Sequence, residues 1–234
     1  MPQSSSPVPA RLWLKRLFSI LLLIVIMDAL LFGAAGRLDW FSAWLLTGLY
    51  LAFLLVIVFW ATRNAPGLME ERSHVAKNVK SWDKVITGIY TLLLLALLVI
   101  AGLDAGRFRW SVMPFVLQGV GLVLLVLAGI VIWWVMSVNY YLSRYARIQD
   151  DRGQQVITDG PYRYVRHPMY AMLVPFMFGI AFVLGSWWAL IPSGLIGVLY
   201  IIRTALEDRM LQEELPGYRE YAQKVRYRLF PGIW

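Results

Sequence analysis

The sequence predicts an all-α fold: a polytopic integral membrane protein with about six transmembrane helices, the last two forming a helical hairpin, and a cytoplasmic amphipathic helix behind them. Three observations predict it. The 234 residues are 59% hydrophobic and only 15% charged, with a mean hydropathy of +0.62, against roughly 25% charged in soluble domains. The apolar residues are gathered into runs of about 20, the length that spans hydrocarbon as a helix. Most of the charged residues lie between those runs rather than inside them.

The elements follow in order. The start, residues 1–11, is rich in Ser and Pro and is expected to be disordered. The first apolar run, about 12–34, is too long for a signal-peptide core and no cleavage signal follows, so it reads as a retained span. Further spans are expected at about 41–61, 84–103 and 112–136. Two shorter runs, about 169–184 and 187–202, are split by "GSWW" and carry Pro175 and Pro192, which fits a tight hairpin of membrane helices. From 203 to 225 the pattern turns amphipathic, with Leu206, Met210, Leu211, Tyr218, Tyr221 and Val225 at helical spacing and an interruption expected at Pro216-Gly217. One membrane domain results: a polar start at 1–11, four helices over 12–136 and a functional core over 137–234.

Charge orients the chain. Of its 22 Lys and Arg, six crossings leave only Arg37, Arg107 and Arg109 on one face and put 19 on the other. The positive-inside rule places the richer face, with both termini, in the cytoplasm. Basic residues spread over separate loops argue against nucleic acid as a partner and for the bilayer. With no cysteine there is no disulfide framework, thiol nucleophile or thiolate metal site. His74 and His167 are too far apart in sequence to suggest another metal site.

Four polar stretches on the predicted cytoplasmic face could carry chemistry. "RHPMY", Arg166 to Tyr170, puts Pro168 where a helix starts, with free backbone N–H groups behind it that can hold an anion. "RTALEDRMLQEE" sets Arg203 and Glu207 on one helix face, in the order less favourable for a helix pair, with Asp208, Glu213 and Glu214 as further acids. "DRGQQVITDGPY" offers a peptide edge at Gln154, Gln155, Val156 and Ile157 before an Asp159-Gly160-Pro161 turn. The loop at 63–84 contains His74, which reads as solvated. Each also has a plain structural reading, respectively interface anchoring, a solvated amphipathic face, an ordinary connector and an interfacial loop. Asp28, inside the first run, is a functional candidate by its location, or a residue near the far surface opposite Arg37.

Taken together, Gly160, Tyr162, Arg166, His167, Pro168 and Tyr170, then Arg203, Glu207 and Leu211, then Gly217, Tyr218, Tyr221, Val225 and Pro231 resemble the isoprenylcysteine carboxyl methyltransferase family. That family is one of a group of membrane methyltransferases that includes phospholipid N-methyltransferases. The resemblance covers roughly 140–234. It implies S-adenosylmethionine as cofactor, in a pocket closed by the C-terminal segment and the connector. By the resemblance, Gln154, Gln155, Val156, Ile157, Tyr162, His167, Pro168, Met169, Tyr170 and Glu207 contact the cofactor, and Arg203 faces the acceptor. Arg203 and Glu207 are then the catalytic candidates. The chain departs from the family pattern at Asp208, the second acid of a usual Glu-Glu pair, at "PGYREY", and at Arg147, where ungapped counting finds an Arg in place of a frequent Gln. The function implied is methyl transfer to a lipid-like or small apolar carboxylate, amine or thiol. The alternatives are an NADPH-dependent membrane reductase of the sterol reductase type and a non-enzymatic membrane protein.

Overall fold

In hydrocarbon a backbone must satisfy its own donors and acceptors, so each long apolar run has the α-helix as its regular solution. The computed structural model describes residues 10–65 and 79–234, and the regular structure of those residues is wholly helical. The order is α1 (Ala10–Ala35), α2 (Phe41–Asn64), α3 (Ser81–Ala101), α4 (Phe115–Val138), α5 (Pro168–Leu184), α6 (Leu190–Glu214) and α7 (Tyr218–Lys224). The expectations for His74 and for most of the polar start lie outside the described residues, although α1 already begins at Ala10.

All six predicted apolar segments are helices. Five are long and apolar enough to cross a membrane, and α5, at 17 residues, is shorter. The hairpin turn falls on "GSWW", as predicted. Pro175 lies inside α5, whereas Pro192 sits in the first turn of α6, where its missing N–H costs no helix bond. Helix α6 runs from the apolar hairpin into the charged tail and stops before Pro216, and α7 resumes at Tyr218. Helix α3 continues as a π-helical turn over Gly102–Phe108.

Small residues set the helix spacing. A Cβ on Gly121 of α4 would stand 2.5 Å from Phe182 Cβ and 3.0 Å from the Gly179 carbonyl oxygen of α5. Close backbone approach of this kind is how helices associate where lipid is as apolar as the side chains. The core is shared by several helices, with Leu31, Leu97, Leu184 and Ile196 fully buried, while Phe18, Val56, Leu92, Val116 and Ile191 face outward.

One end of the bundle is tied by a buried acid. Asp104 accepts hydrogen bonds from the Ser111 N–H (2.8 Å) and hydroxyl (2.6 Å) and from the Ser186 hydroxyl (2.6 Å). The π-helical turn, the run into α4 and the α5–α6 turn therefore meet on one carboxylate. Asp28 does not face Arg37. Its Oδ1 accepts the Thr47 hydroxyl at 2.6 Å, a cross-link from α1 to α2, and Arg37 pairs locally with Asp39. The opposite end gathers the start of α3, the 139–167 connector, the end of α6 and the tail, and every motif of interest lies there.

Gly121→Leu should cost about 1–3 kcal/mol of stability through overpacking against α5. Gly119→Leu, where nothing lies within 4 Å of the added carbon, should stay within about 0.5 kcal/mol of the parent. Thermal unfolding of the detergent-solubilised chain measures the difference.

Candidate functional site

The approach to α5 is built by two constraints. Gly160 takes a φ of +58°, and a Cβ there would press on Val138 and Trp134 at 3.1–3.3 Å, so only glycine suits this turn. The turn delivers Arg166 and His167 beside the tail, where their N–H groups donate to the Tyr227 and Arg228 carbonyls at 2.9 Å each. Pro168 then opens α5, and no side chain caps that terminus. The Ala171 N–H already bonds the His167 carbonyl, which leaves the Met169 and Tyr170 N–H groups as the spare donors of the first turn.

Asp208 holds this arrangement together. It is completely buried in α6. Arg166 grips it with two bonds, Nε to Oδ1 at 2.7 Å and Nη2 to Oδ2 at 3.0 Å. Arg228 Nε (2.9 Å), Gln212 Nε2 (2.8 Å) and the Tyr218 hydroxyl (3.1 Å) also donate to it, and His167 Nε2 lies 3.4 Å away. Arg166 uses its remaining nitrogen, Nη1, on the Val225 and Arg226 carbonyls at 2.8 and 2.9 Å. Four of its five N–H donors are committed to the protein, so it holds the tail. Burial acts to lower the Arg166 guanidinium, and the hydrogen bonds to Asp208 outweigh it and hold the group above its ordinary value. Burial, with the Asp208 charge beside it, pushes the Tyr218 hydroxyl well up, so it remains a donor.

Under this knot lies a cavity of about 610 Å³. Its walls come from α3, the connector, the start of α5, the second half of α6, and α7. Ten of the predicted site residues line it together: Gln154, Gln155, Val156, Ile157, Tyr162, His167, Met169, Tyr170, Arg203 and Glu207. Pro168 does not. It is buried at the first position of α5, where its contribution is the fixed φ of the helix start.

Inside the cavity an aromatic ladder connects the two ends of the motif. His167 stacks on Tyr170 (centroids 5.9 Å apart), Tyr170 on Tyr200 (5.4 Å), and Tyr90 of α3 meets Tyr200 edge-on (5.5 Å). The Tyr170 hydroxyl donates to Glu207 Oε2 at 2.5 Å. Glu207 Oε1 makes no hydrogen bond among the described residues. Arg203 and Glu207 share a helix face, as their spacing predicts, but do not bond each other. Arg203 instead pairs with Asp83 of α3, and its guanidinium lies 5.1 Å over the Tyr170 ring.

The connector is braced from within by buried polar side chains. Arg147 pairs with Asp151 at 3.0 Å, while the buried glutamine of this stretch is Gln149, two residues further on. Gln149 donates through its side chain to the Tyr141 carbonyl, accepts from Arg152 at 2.6 Å, and through its backbone N–H donates to Gln154 Oε1 at 2.8 Å. It fixes one predicted cavity residue directly. Asn139 donates to the Tyr162 hydroxyl at 2.7 Å, and burial pushes that hydroxyl well up, so its proton stays available to the cavity. The Tyr221 hydroxyl braces the Tyr162 carbonyl at 2.7 Å. Arg163 and Tyr164 are exposed, and Arg163 only pairs with Asp159. Sequence reasoning passed over Asp83, whose signal was an acid in the first turn of an apolar span. It also took Asp208 for a minor variation.

Residues 116–216 match the family model described as phospholipid methyltransferase, and no curated relative matches the chain. The match is consistent with the resemblance drawn from sequence, a membrane methyltransferase family related to the phospholipid N-methyltransferases. It runs from α4 to the end of α6 and takes in the Arg166–Tyr170 and Arg203–Glu207 elements.

Asp208→Ala leaves Arg166 and Arg228 without their buried counter-charge and should destabilise the chain by about 3–5 kcal/mol. Limited tryptic digestion should then cut after Arg226 and Arg228 far faster than in the parent, because the tail has lost its anchor.

Proposed function

We propose that this chain is a membrane methyltransferase that takes S-adenosylmethionine as methyl donor and methylates a lipid-like or small apolar acceptor, a carboxylate, amine or thiol reached from the bilayer. The match over 116–216 supports the reaction class. The observation that carries the reading is the shared cavity, which ten of the residues implied by the resemblance line together.

The residues suit such a donor. A cavity of about 610 Å³ lies within the range of roughly 300–1,000 Å³ usual for cofactor-sized ligands. The donor is a sulfonium cation with a carboxylate and an ammonium at its amino-acid end, and when bound it supplies an electrophilic methyl group. The spare Met169 and Tyr170 N–H groups at the start of α5 suit the carboxylate. The uncommitted Glu207 Oε1 suits an ammonium or the ribose hydroxyls. The Tyr170 and Tyr162 rings offer faces to a cation, worth roughly 0.5–2 kcal/mol. His167, clamped between Asp208, Tyr218 and Tyr170, serves as a fixed wall.

Displacement at a methyl carbon depends mainly on alignment, so rigid walls are the catalytic contribution expected of this chain. A carboxylate or thiolate acceptor has no proton to lose. An ammonium acceptor must lose one, and Glu207 or His167, both lining the cavity, can take it. Arg203 stands on the acceptor side. With the face carrying most of the Lys and Arg turned to the cytoplasm, the cavity and both termini are cytoplasmic.

The test incubates the purified chain with labelled S-adenosylmethionine and a total lipid and small-metabolite extract. A labelled product should form, and Glu207→Ala should abolish it while weakening donor binding roughly 10–100-fold, the worth of about 1.5–3 kcal/mol of charged hydrogen bonding. Saturable binding of NADPH in place of the methyl donor would mark a reductase instead. Arg203→Ala should raise the acceptor KM and leave the donor Kd within about twofold.

A further inference from the structure

Asp83 stands in the first turn of α3, outside the matched segment 116–216, and nothing in the family pattern refers to it. It is completely buried beside the cavity. Its Oδ1 lies 2.8 Å from Arg203 Nε, and its Oδ2 accepts from Arg203 Nη2 at 3.2 Å and from the Ala146 N–H at 2.8 Å. Arg203 Nη2 also donates to the Arg144 carbonyl at 2.9 Å. One carboxylate thus ties α3, the connector and α6, three walls of the cavity, at the point where Arg203 sits.

The geometry decides what Arg203 has left to offer. Its Nη2 is taken by Asp83 and the Arg144 carbonyl, its Nε lies 2.8 Å from Asp83 Oδ1 in an ion pair without a hydrogen bond, and its flat face lies over Tyr170. Among the described residues Nη1 makes no hydrogen bond. Its charge is offset by Asp83, with Glu207 one turn further along α6. An unpaired arginine on a flexible stem attracts any anion and fixes no direction. A guanidinium held at Nη2 and ion-paired at Nε presents its remaining nitrogen, Nη1, at a set angle.

We propose that Asp83 is a positioning residue for the acceptor: it orients Arg203 and offsets its charge, so the acceptor meets one directed donor, Nη1, rather than a free cation. This rests on the methyl-transfer reading above. It gives the N-terminal helices a part in the reaction. Misplacement by about 1 Å can cost around 100-fold in rate, so loss of Asp83 should appear in kcat, with the acceptor KM unchanged or lower because the freed cation still attracts anionic head groups.

The experiment compares the parent, Asp83→Asn, Arg203→Gln and the double variant, each as the full chain in lipid nanodiscs. Binding of labelled S-adenosylmethionine is measured first, without acceptor, and turnover with a total lipid extract second. Asp83→Asn should bind the donor within about twofold of the parent and lose about 10–100-fold in kcat. The double variant should match Arg203→Gln within about twofold, because Asp83 acts through Arg203. Parental kcat in Asp83→Asn, loss of its donor binding, or a further tenfold fall in the double variant would each overturn the proposal. If Asp83→Asn alone aggregates, the comparison of the double variant with Arg203→Gln decides on the same terms. A parent that binds donor but labels nothing in the extract, or binds no donor, refutes the methyl-transfer reading itself and this proposal with it.

Discussion

A carboxylate buried as deeply as Asp208 is stable only with counter-charge and hydrogen bonds around it, and this requirement organises the active end of the molecule. The partners come from four places: Arg166 and His167 before α5, Gln212 one turn further along α6, Tyr218 at the start of α7, and Arg228 in the tail. Satisfying one oxygen pair draws the tail back across the hairpin. Once there, the Tyr227 and Arg228 carbonyls take the Arg166 and His167 N–H groups, and the chain is laced beside the first turn of α5. The cavity has a wall on this side because Asp208 is neutralised there. The acids of "LEDRMLQEE" thus divide by role. Asp208 is structural, Glu207 faces the cavity, Glu214 straps Lys80 at 2.7 Å, and Glu213 is exposed.

The far end of the bundle uses the same device with a different acid. Asp104 is satisfied by two serines and backbone N–H groups rather than by cations, so it fixes the α5–α6 turn without bringing positive charge to that end. With one end of the hairpin pinned by Asp104 and the other by Asp208, the short α5 is held between two anchored points and packed closely on α4 through Gly121 and Gly179. That is a rigid support for the cavity between them.

Between these anchors the polar cavity borders a second, nearly apolar space of about 510 Å³ among the first five helices. Tyr50 and Tyr90 line both spaces. The N-terminal helices are therefore more than a membrane anchor. Through Ile86 and Tyr90 of α3 they supply part of the cavity wall, although the matched segment begins only at α4.

The order and type of the helices were legible in the sequence, because in a bilayer run length and backbone self-satisfaction leave few choices. The prolines and glycines marked the hairpin and the break before α7, because their backbone restrictions are local. Ten of the cavity residues were legible too, through the family resemblance carried by motifs around Arg166, Arg203 and Tyr218. Partnership was not legible. Nothing in the chain order says that Asp208 takes Arg166 and Arg228, that Asp83 takes Arg203 from 120 positions away, or that Gln149 braces the connector. Those pairings follow from desolvation: a charge chooses its partner by which cation or donor is buried beside it once the helices have packed. Burial of that kind is a property of the assembled bundle, so the tertiary structure alone decided which acids brace the fold and which one faces the cavity.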